Sequence, residues 1–247
     1  PIAMTMTVEA GCVLQTAHEA AEAQNMILPL DLGARGSATI GGNIATNAGG
    51  NRVLRWGMMR DMVLGLEAVL ANGDVVSGIR KTIKDNAGYD WKHLLIGSEG
   101  TLGIVTKAVL RLRPAPQTTL TALLSLNTFD DAATLLRRLE GDFGGALSSF
   151  ELMWDDFYEL ITTANAAKRP APLPAGAPLY ALVEMLGADP DADTDKFESV
   201  LAAVIEEGLA KDAVIAQSIA DRERLWAVRE DLNEAFGRIW PIFAFDV

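Results

Sequence analysis

The sequence predicts an α+β fold in two parts, and three observations carry that prediction. Residues 29–50 are a glycine-rich run of small polar residues, the chain from Thr118 onward reads strand, helix, strand twice over, and charge changes sharply between these regions. Residues 1–113 hold 11 Lys and Arg against 10 Asp and Glu, whereas residues 114–247 hold 10 against 23, which produces the net charge of −12. A boundary is therefore expected between residues 1–114 and residues 115–247.

At 247 residues, 49% apolar and 22% charged, the chain can bury a core in each part and does not have the composition of a disordered segment. Its acidic second half repels nucleic acid and anionic lipid, so neither is an expected partner. No apolar run reaches the roughly 18 residues that a membrane span needs, and no basic start followed by an apolar stretch marks a signal peptide. Cys12 is the single cysteine, which excludes an internal disulfide framework and suits a reducing compartment. A cytoplasmic location is expected.

The first part opens with alternation over Met4–Glu9, the pattern of a half-buried strand, and then a helix over Val13–Asn25 with Leu14, Ala17 and Ala21 on one side. Past the glycine-rich stretch, Arg52–Arg60 (RVLRWGMMR) is basic and aromatic. Asp61–Leu70 reads as a strand that Asn72-Gly73 turns into a second one at Asp74–Ser77, a hairpin. Lys81–Asp90 has loop chemistry, Trp91–Ile96 reads as a short helix, and GSEGTLGIV leads into a strand over Ile104–Arg113 that Pro114 and Pro116 stop.

Within this part, Pro29–Gly50 (PLDLGARGSATIGGNIATNAGG) is not built like a core element. Glycine lets a ligand lie against bare amides, and Ser37, Thr39, Asn43, Thr46 and Asn47 add short donors and acceptors. Amides gathered in this way make an anion nest, typically for phosphate. The two familiar phosphate loops do not fit, since there is no GxxxxGK[ST] and no GxGxxG between a strand and a helix. A turn-rich surface segment is the plainer reading, but Leu30, Leu32, Ile40 and Ile44 run through the stretch and disfavour a solvated linker.

The second part predicts strands at Leu120–Leu126 and Leu147–Met153 around a helix over Thr128–Glu140, with Asp130 and Asp131 in its first turn. A helix over Phe157–Ala166 and a proline-rich connection at Pro170–Pro178 precede the second unit. That unit is a strand at Leu179–Leu186, a helix over Thr194–Glu207 ended by Gly208, and a strand at Ala213–Gln217. Two such units predict a ferredoxin-like layer, with helices on one face of an antiparallel sheet. In a last helix, about Ile219–Ile239, Arg222, Trp226, Arg229 and Asn233 share a face beside the buried stripe. A guanidinium there can reach a carboxylate ligand; surface ion pairs with Glu223, Glu230, Asp231 or Glu234 explain the same arginines.

Pro29–Gly50, followed by GSEGTLGIVT at Gly97–Thr106, resembles the vanillyl-alcohol-oxidase, or PCMH-type, FAD-binding domain. It resembles specifically the D-2-hydroxyacid dehydrogenase branch, that of the D-lactate, D-2-hydroxyglutarate and glycolate dehydrogenases. The likeness is tight from Met26 to Pro114 and looser beyond. It implies that residues 1–114 are the second half of an FAD-binding domain whose first pyrophosphate loop precedes Pro1, and that residues 115–247 are the ferredoxin-like cap that holds substrate. The chain then resembles an internal fragment. The resemblance implies non-covalent FAD, lined by Pro29, Leu32, Gly33, Ser37, Ile40, Gly41, Gly42, Ala45, Thr46, Asn47 and Gly50, with Glu99, Gly103, Ile104 and Val105 on the ribityl or adenosine side. Arg229 resembles the family's clamp on the substrate carboxylate, with Asn233 four residues on.

The implied reaction oxidises a D-2-hydroxyacid to the 2-oxoacid by hydride transfer to flavin N5, with the cofactor carrying the redox chemistry. The electron acceptor would be a quinone or an electron-transfer protein, and a homodimer is allowed. No catalytic base is visible in this chain. His18 and His93 read as structural residues, neither stands at metal-ligand spacing, and the family's histidine and carboxylate cluster resembles a segment beyond Val247, so no metal is expected here. Ala244, where hydroxydicarboxylate enzymes resemble one another in a lysine, and Asn233, where threonine is familiar, leave the substrate open. Two other readings stay open as well: a flavin-binding electron-transfer subunit, and a folded piece that no longer holds FAD.

Overall fold

The computed structural model describes residues 2–164 and 170–231. They fall into two compact units, Pro1–Ala115 and Pro116–Val247. No helix among the described residues is long and apolar enough to cross a membrane.

The first unit runs β1 (Thr5–Glu9), α1 (Leu14–Glu22), β2 (Met26–Ile27), α2 (Ile40–Ala45), α3 (Val53–Trp56), α4 (Met59–Met62), β3 (Val63–Val69), β4 (Val75–Gly78), α5 (Lys92–Leu95), β5 (Ile104–Arg111) and β6 (Arg113–Pro114). Its four-stranded sheet has the order β1-β5-β3-β4, antiparallel throughout, and β2 pairs with β6. The hairpin lies where the Asn72-Gly73 pair placed it: Gly73 takes φ 88°, and Leu70 N–H donates to Asp74 O at 2.9 Å. In α1 the buried residues are Leu14, Ala17 and Ala21, the face that the 3.6-residue period marked. They pack against Leu66, Ala108 and Leu110 of the sheet in one apolar core.

The glycine-rich stretch is not all loop. Ile40–Ala45 closes a short helix, capped by Thr39, whose hydroxyl accepts from Gly42 N–H at 3.2 Å. Ile40 and Ile44 are fully buried and drive the turn into the core, which outweighs the poor helix propensity of two glycines. The basic run before β3 likewise forms two short helices, α3 and α4.

The second unit runs β7 (Thr118–Leu126), α6 (Phe129–Phe143), β8 (Leu147–Trp154), α7 (Asp155–Ala164), β9 (Leu179–Gly187), α8 (Pro190–Glu206), β10 (Asp212–Ile215) and α9 (Ile219–Glu230). The sheet order is β10-β7-β9-β8, all antiparallel, which is the ferredoxin-like order of first strand beside fourth and third. A reciprocal capping box starts α6: Asp131 N–H donates to Thr128 Oγ1 at 3.1 Å and Thr128 N–H to Asp131 Oδ2 at 3.0 Å. Gly208, φ 75°, follows the end of α8.

One expectation needs correction: the helices do not share a single face of this sheet. Ala122, Leu124, Ala181 and Val183 face α6 and α8, whereas Leu123, Tyr180 and Leu182 pack with Tyr158 and Ile161 of α7 and Leu225 and Val228 of α9. With both faces covered, β9 is buried along nearly its whole length, and its near-continuous apolar run, LYALVEML, follows from that. Residues 232–247 lie outside the described residues, and with them Asn233, Ala244 and the second half of the expected last helix.

Candidate functional site

In the first unit, the backbone of the glycine stretch does two different jobs. Near α2 it is tied down: Ile40 N–H donates to Cys12 O and Gly41 N–H to Ala10 O, both at 2.8 Å. A Cβ on Gly41 would stand 2.7 Å from Ala10 Cβ, and one on Gly50 would collide with the Asp31 carbonyl oxygen, so these two are glycine because backbone packs on backbone. Gly33 and Gly36 differ. A Cβ on either would meet nothing within 4 Å, and among the described residues the N–H groups of Gly33, Ala34 and Gly36 have no protein acceptor. Ser37, Gly42 and Thr46 are exposed as well.

The two sequence motifs meet. Gly97 N–H donates to Ile44 O at 3.0 Å and Glu99 N–H to Ala45 O at 2.9 Å, so the GSEG turn satisfies the carbonyls at the end of α2. Arg60 locks the junction from a third side. Its backbone N–H donates to Asn47 Oδ1 at 2.9 Å, and its guanidinium donates to His93 O at 2.9 Å and Ile96 O at 2.7 Å. Asn47 and Glu99 both take left-handed backbone, φ 49° and 50°, which costs more for glutamate than for asparagine. Asn43 Nδ2 and Ser98 Oγ, one from each motif, are buried without a partner. Among the described residues, two of the four non-glycine residues with left-handed backbone and two of the four unpartnered buried polar atoms meet at this junction, features that accompany functional sites.

The remaining predicted residues divide by burial. Pro29, Ile40 and Val105 are buried; Leu32, Ala45 and Gly103 are half-buried; Ile104 is 63% exposed. His18 Nε2 lies 2.7 Å from Leu30 O. His93 sits between Arg60 and Asp90, and partial burial, ahead of the Lys92 charge, pushes its pKa down. Both histidines have structural partners. Arg60 was singled out by no motif; it stood only within a basic run.

In the second unit, Arg229 Nε donates to Glu151 Oε2 at 2.8 Å. Its partner is thus on β8, across the sheet, and not one of the acidic neighbours on its own helix. One turn back on α9, Trp226 Nε1 donates to Glu184 Oε2 at 3.0 Å. Glu184 is 2% exposed and also accepts from Ser148 Oγ at 3.2 Å and Thr121 Oγ1 at 3.4 Å. Strand register produces this cluster, because Thr121 and Ser149 stand opposite Glu184 on its two neighbouring strands, and Glu151 opposite Leu182. The sheet face under α9 is therefore apolar around Leu123 and Leu182 and polar around Glu184. A glutamate inside the apolar run of β9 was the available signal for it.

Comparison with known proteins finds two family models. Residues 1–78 match the FAD binding domain model and residues 115–247 match the model for the C-terminal domain of FAD linked oxidases. The chain is 42% identical over 244 residues to a probable mitochondrial D-2-hydroxyglutarate dehydrogenase of Oryza sativa subsp. indica, covering 98% of this chain and 43% of that protein. It is 40% identical over 239 residues to the mitochondrial D-2-hydroxyglutarate dehydrogenase of Bos taurus (97% and 43%), and 39% identical over 237 residues to the D-2-hydroxyglutarate dehydrogenase of Xanthomonas citri pv. viticola (96% and 49%). The chain thus spans about half the length of these curated relatives. In architecture it is similar to an alkyldihydroxyacetonephosphate synthase structure, with a TM-score of 0.69 at 21% identity, over 95% of this chain and 43% of the other.

Proposed function

Because this chain belongs to the FAD-linked oxidase family, whose cofactor is FAD, we propose that it forms part of a dehydrogenase that oxidises a D-2-hydroxyacid, of the D-2-hydroxyglutarate or D-lactate type, to the 2-oxoacid. The observation that carries the reading is the junction of the two motifs, where Gly97 and Glu99 donate to the end of α2. The residues present fit a dinucleotide: the amides of Gly33, Ala34 and Gly36 have no protein acceptor, and an anionic phosphate bridge supplies acceptors for them. Bound FAD supplies the hydride acceptor. The chain's own part is to hold charge and orient: the amides of the stretch oppose phosphate, and Arg229 takes the substrate carboxylate through a planar, permanently charged fork.

Asn233 would join Arg229 in the substrate arm. The electron acceptor would be a quinone or an electron-transfer protein, and the enzyme a homodimer. A reducing compartment such as the cytoplasm suits a lone cysteine. The test is a panel of D- and L-2-hydroxyacids added anaerobically to the full-length protein while the visible flavin absorbance is followed. Bleaching by D-2-hydroxyglutarate or D-lactate, and not by the L-isomers, is the expected result; a bound flavin that no D-2-hydroxyacid reduces would overturn the proposal.

A further inference from the structure

We propose that Glu151 is a positioning residue for Arg229, fixing which edge of the guanidinium is offered to the substrate carboxylate. The inference rests on the reading of Arg229 as that carboxylate's partner. A free arginine at the end of a helix samples many rotamers, and each must be given up when a carboxylate binds. Here the side chain is already held, with Nε donating to Glu151 Oε2 at 2.8 Å. That bond uses the inner side of the fork. Among the described residues neither terminal nitrogen of Arg229 has an acceptor, so the outer edge, which offers two parallel N–H groups, is left for a ligand carboxylate.

The arrangement is supported from below. Glu151 belongs to β8, whose backbone is paired to β9 from Leu147 to Trp154, so its carboxylate stands on a rigid element. Arg229 belongs to α9, and α9 is anchored one turn earlier by Trp226 on the buried Glu184. Both side chains of the pair are partly exposed, at 38% and 22%. The pair is therefore worth little as a contribution to stability, and a positional role accounts for it better.

The test uses the full-length protein and two product analogues, 2-oxoglutarate and pyruvate, with binding measured by calorimetry independently of turnover. Arg229→Ala is expected to weaken binding of at least one of them by 10-fold or more. Glu151→Ala is expected to weaken the same ligand about 10-fold, within the range found for neighbouring charged residues, and Glu151→Gln about threefold, since the amide keeps an acceptor for Nε. In steady state KM rises while kcat stays within about twofold. In the Arg229→Ala background, Glu151→Ala is expected to change nothing. Glu151→Gln keeps the side-chain volume and so covers the case in which the alanine variant fails to fold. Unchanged or tighter binding in Glu151→Ala, where Arg229→Ala still weakens it, would overturn this inference alone, as would an equal loss in the Arg229→Ala background. Unchanged binding of both ligands in Arg229→Ala would overturn the clamp reading itself.

Discussion

The two units build their candidate sites from different materials. In the first, backbone does the positioning: amides of a glycine-rich stretch, two residues in left-handed conformation and one arginine that clasps carbonyl groups. In the second, side chains on regular strands and a helix do it, with Glu151, Glu184, Trp226 and Arg229 brought together by register. The difference teaches where each is vulnerable. A backbone-built arrangement fails where an added Cβ meets backbone, whereas a side-chain-built one fails by losing a partner and leaves its fold largely intact.

The largest expected effect tests that contrast within the glycine stretch. Gly50→Ala puts a Cβ into the Asp31 carbonyl, and overpacking against backbone of this kind should cost about 3 kcal/mol or more. Gly33→Ala meets open space and should leave stability within about 0.5 kcal/mol. Urea unfolding of both variants checks it; equal losses would mean that the stretch is not divided as described. Next, Arg60→Met strips the junction of donors to His93 O and Ile96 O. A loss of about 2–3 kcal/mol is expected, with a lower ratio of flavin to protein absorbance after purification.

In the second unit, Tyr158 is fully buried, donates to Leu173 O at 2.8 Å and accepts from Leu173 N–H at 3.0 Å. Burial pushes its pKa up from 10.0 to about 12. The folded state therefore keeps the phenol proton that the unfolded chain gives up first, so this contribution to stability is whole below pH 10 and is lost as pH rises toward 12. The loss should reach about 2 kcal/mol, and Tyr158→Phe should flatten the profile in that window when melting temperature is followed against pH. The smallest effect is at a helix start: Thr128→Ala removes one half of the α6 capping box and should cost about 1 kcal/mol, leaving flavin content unchanged.

Much of the fold was legible from local pattern. The inward face of α1, the hairpin at Asn72-Gly73 and the acidic first turn of α6 follow from period and turn chemistry over a few residues, and the structure keeps all three. The glycine-rich run was legible for the same reason, since glycine density is a local statement about what backbone must do. Less legible was that Ile40–Ala45 is helical, because burial of Ile40 and Ile44 against distant residues decides it.

The sequence by itself settled most strands, the longer helices and which family the chain resembles, since periodicity, turn residues and motif spacing act over short range. Only the tertiary structure decided that helices cover both faces of the second sheet, that Arg60 closes the motif junction, and that Arg229 finds Glu151 78 residues away and not its own helix neighbours. The reason is register. A strand shifted by one residue carries every side chain to the opposite face, and in β8 and β9 a bulge between Leu147 and Ser149 sets that phase, which no window of local sequence reveals.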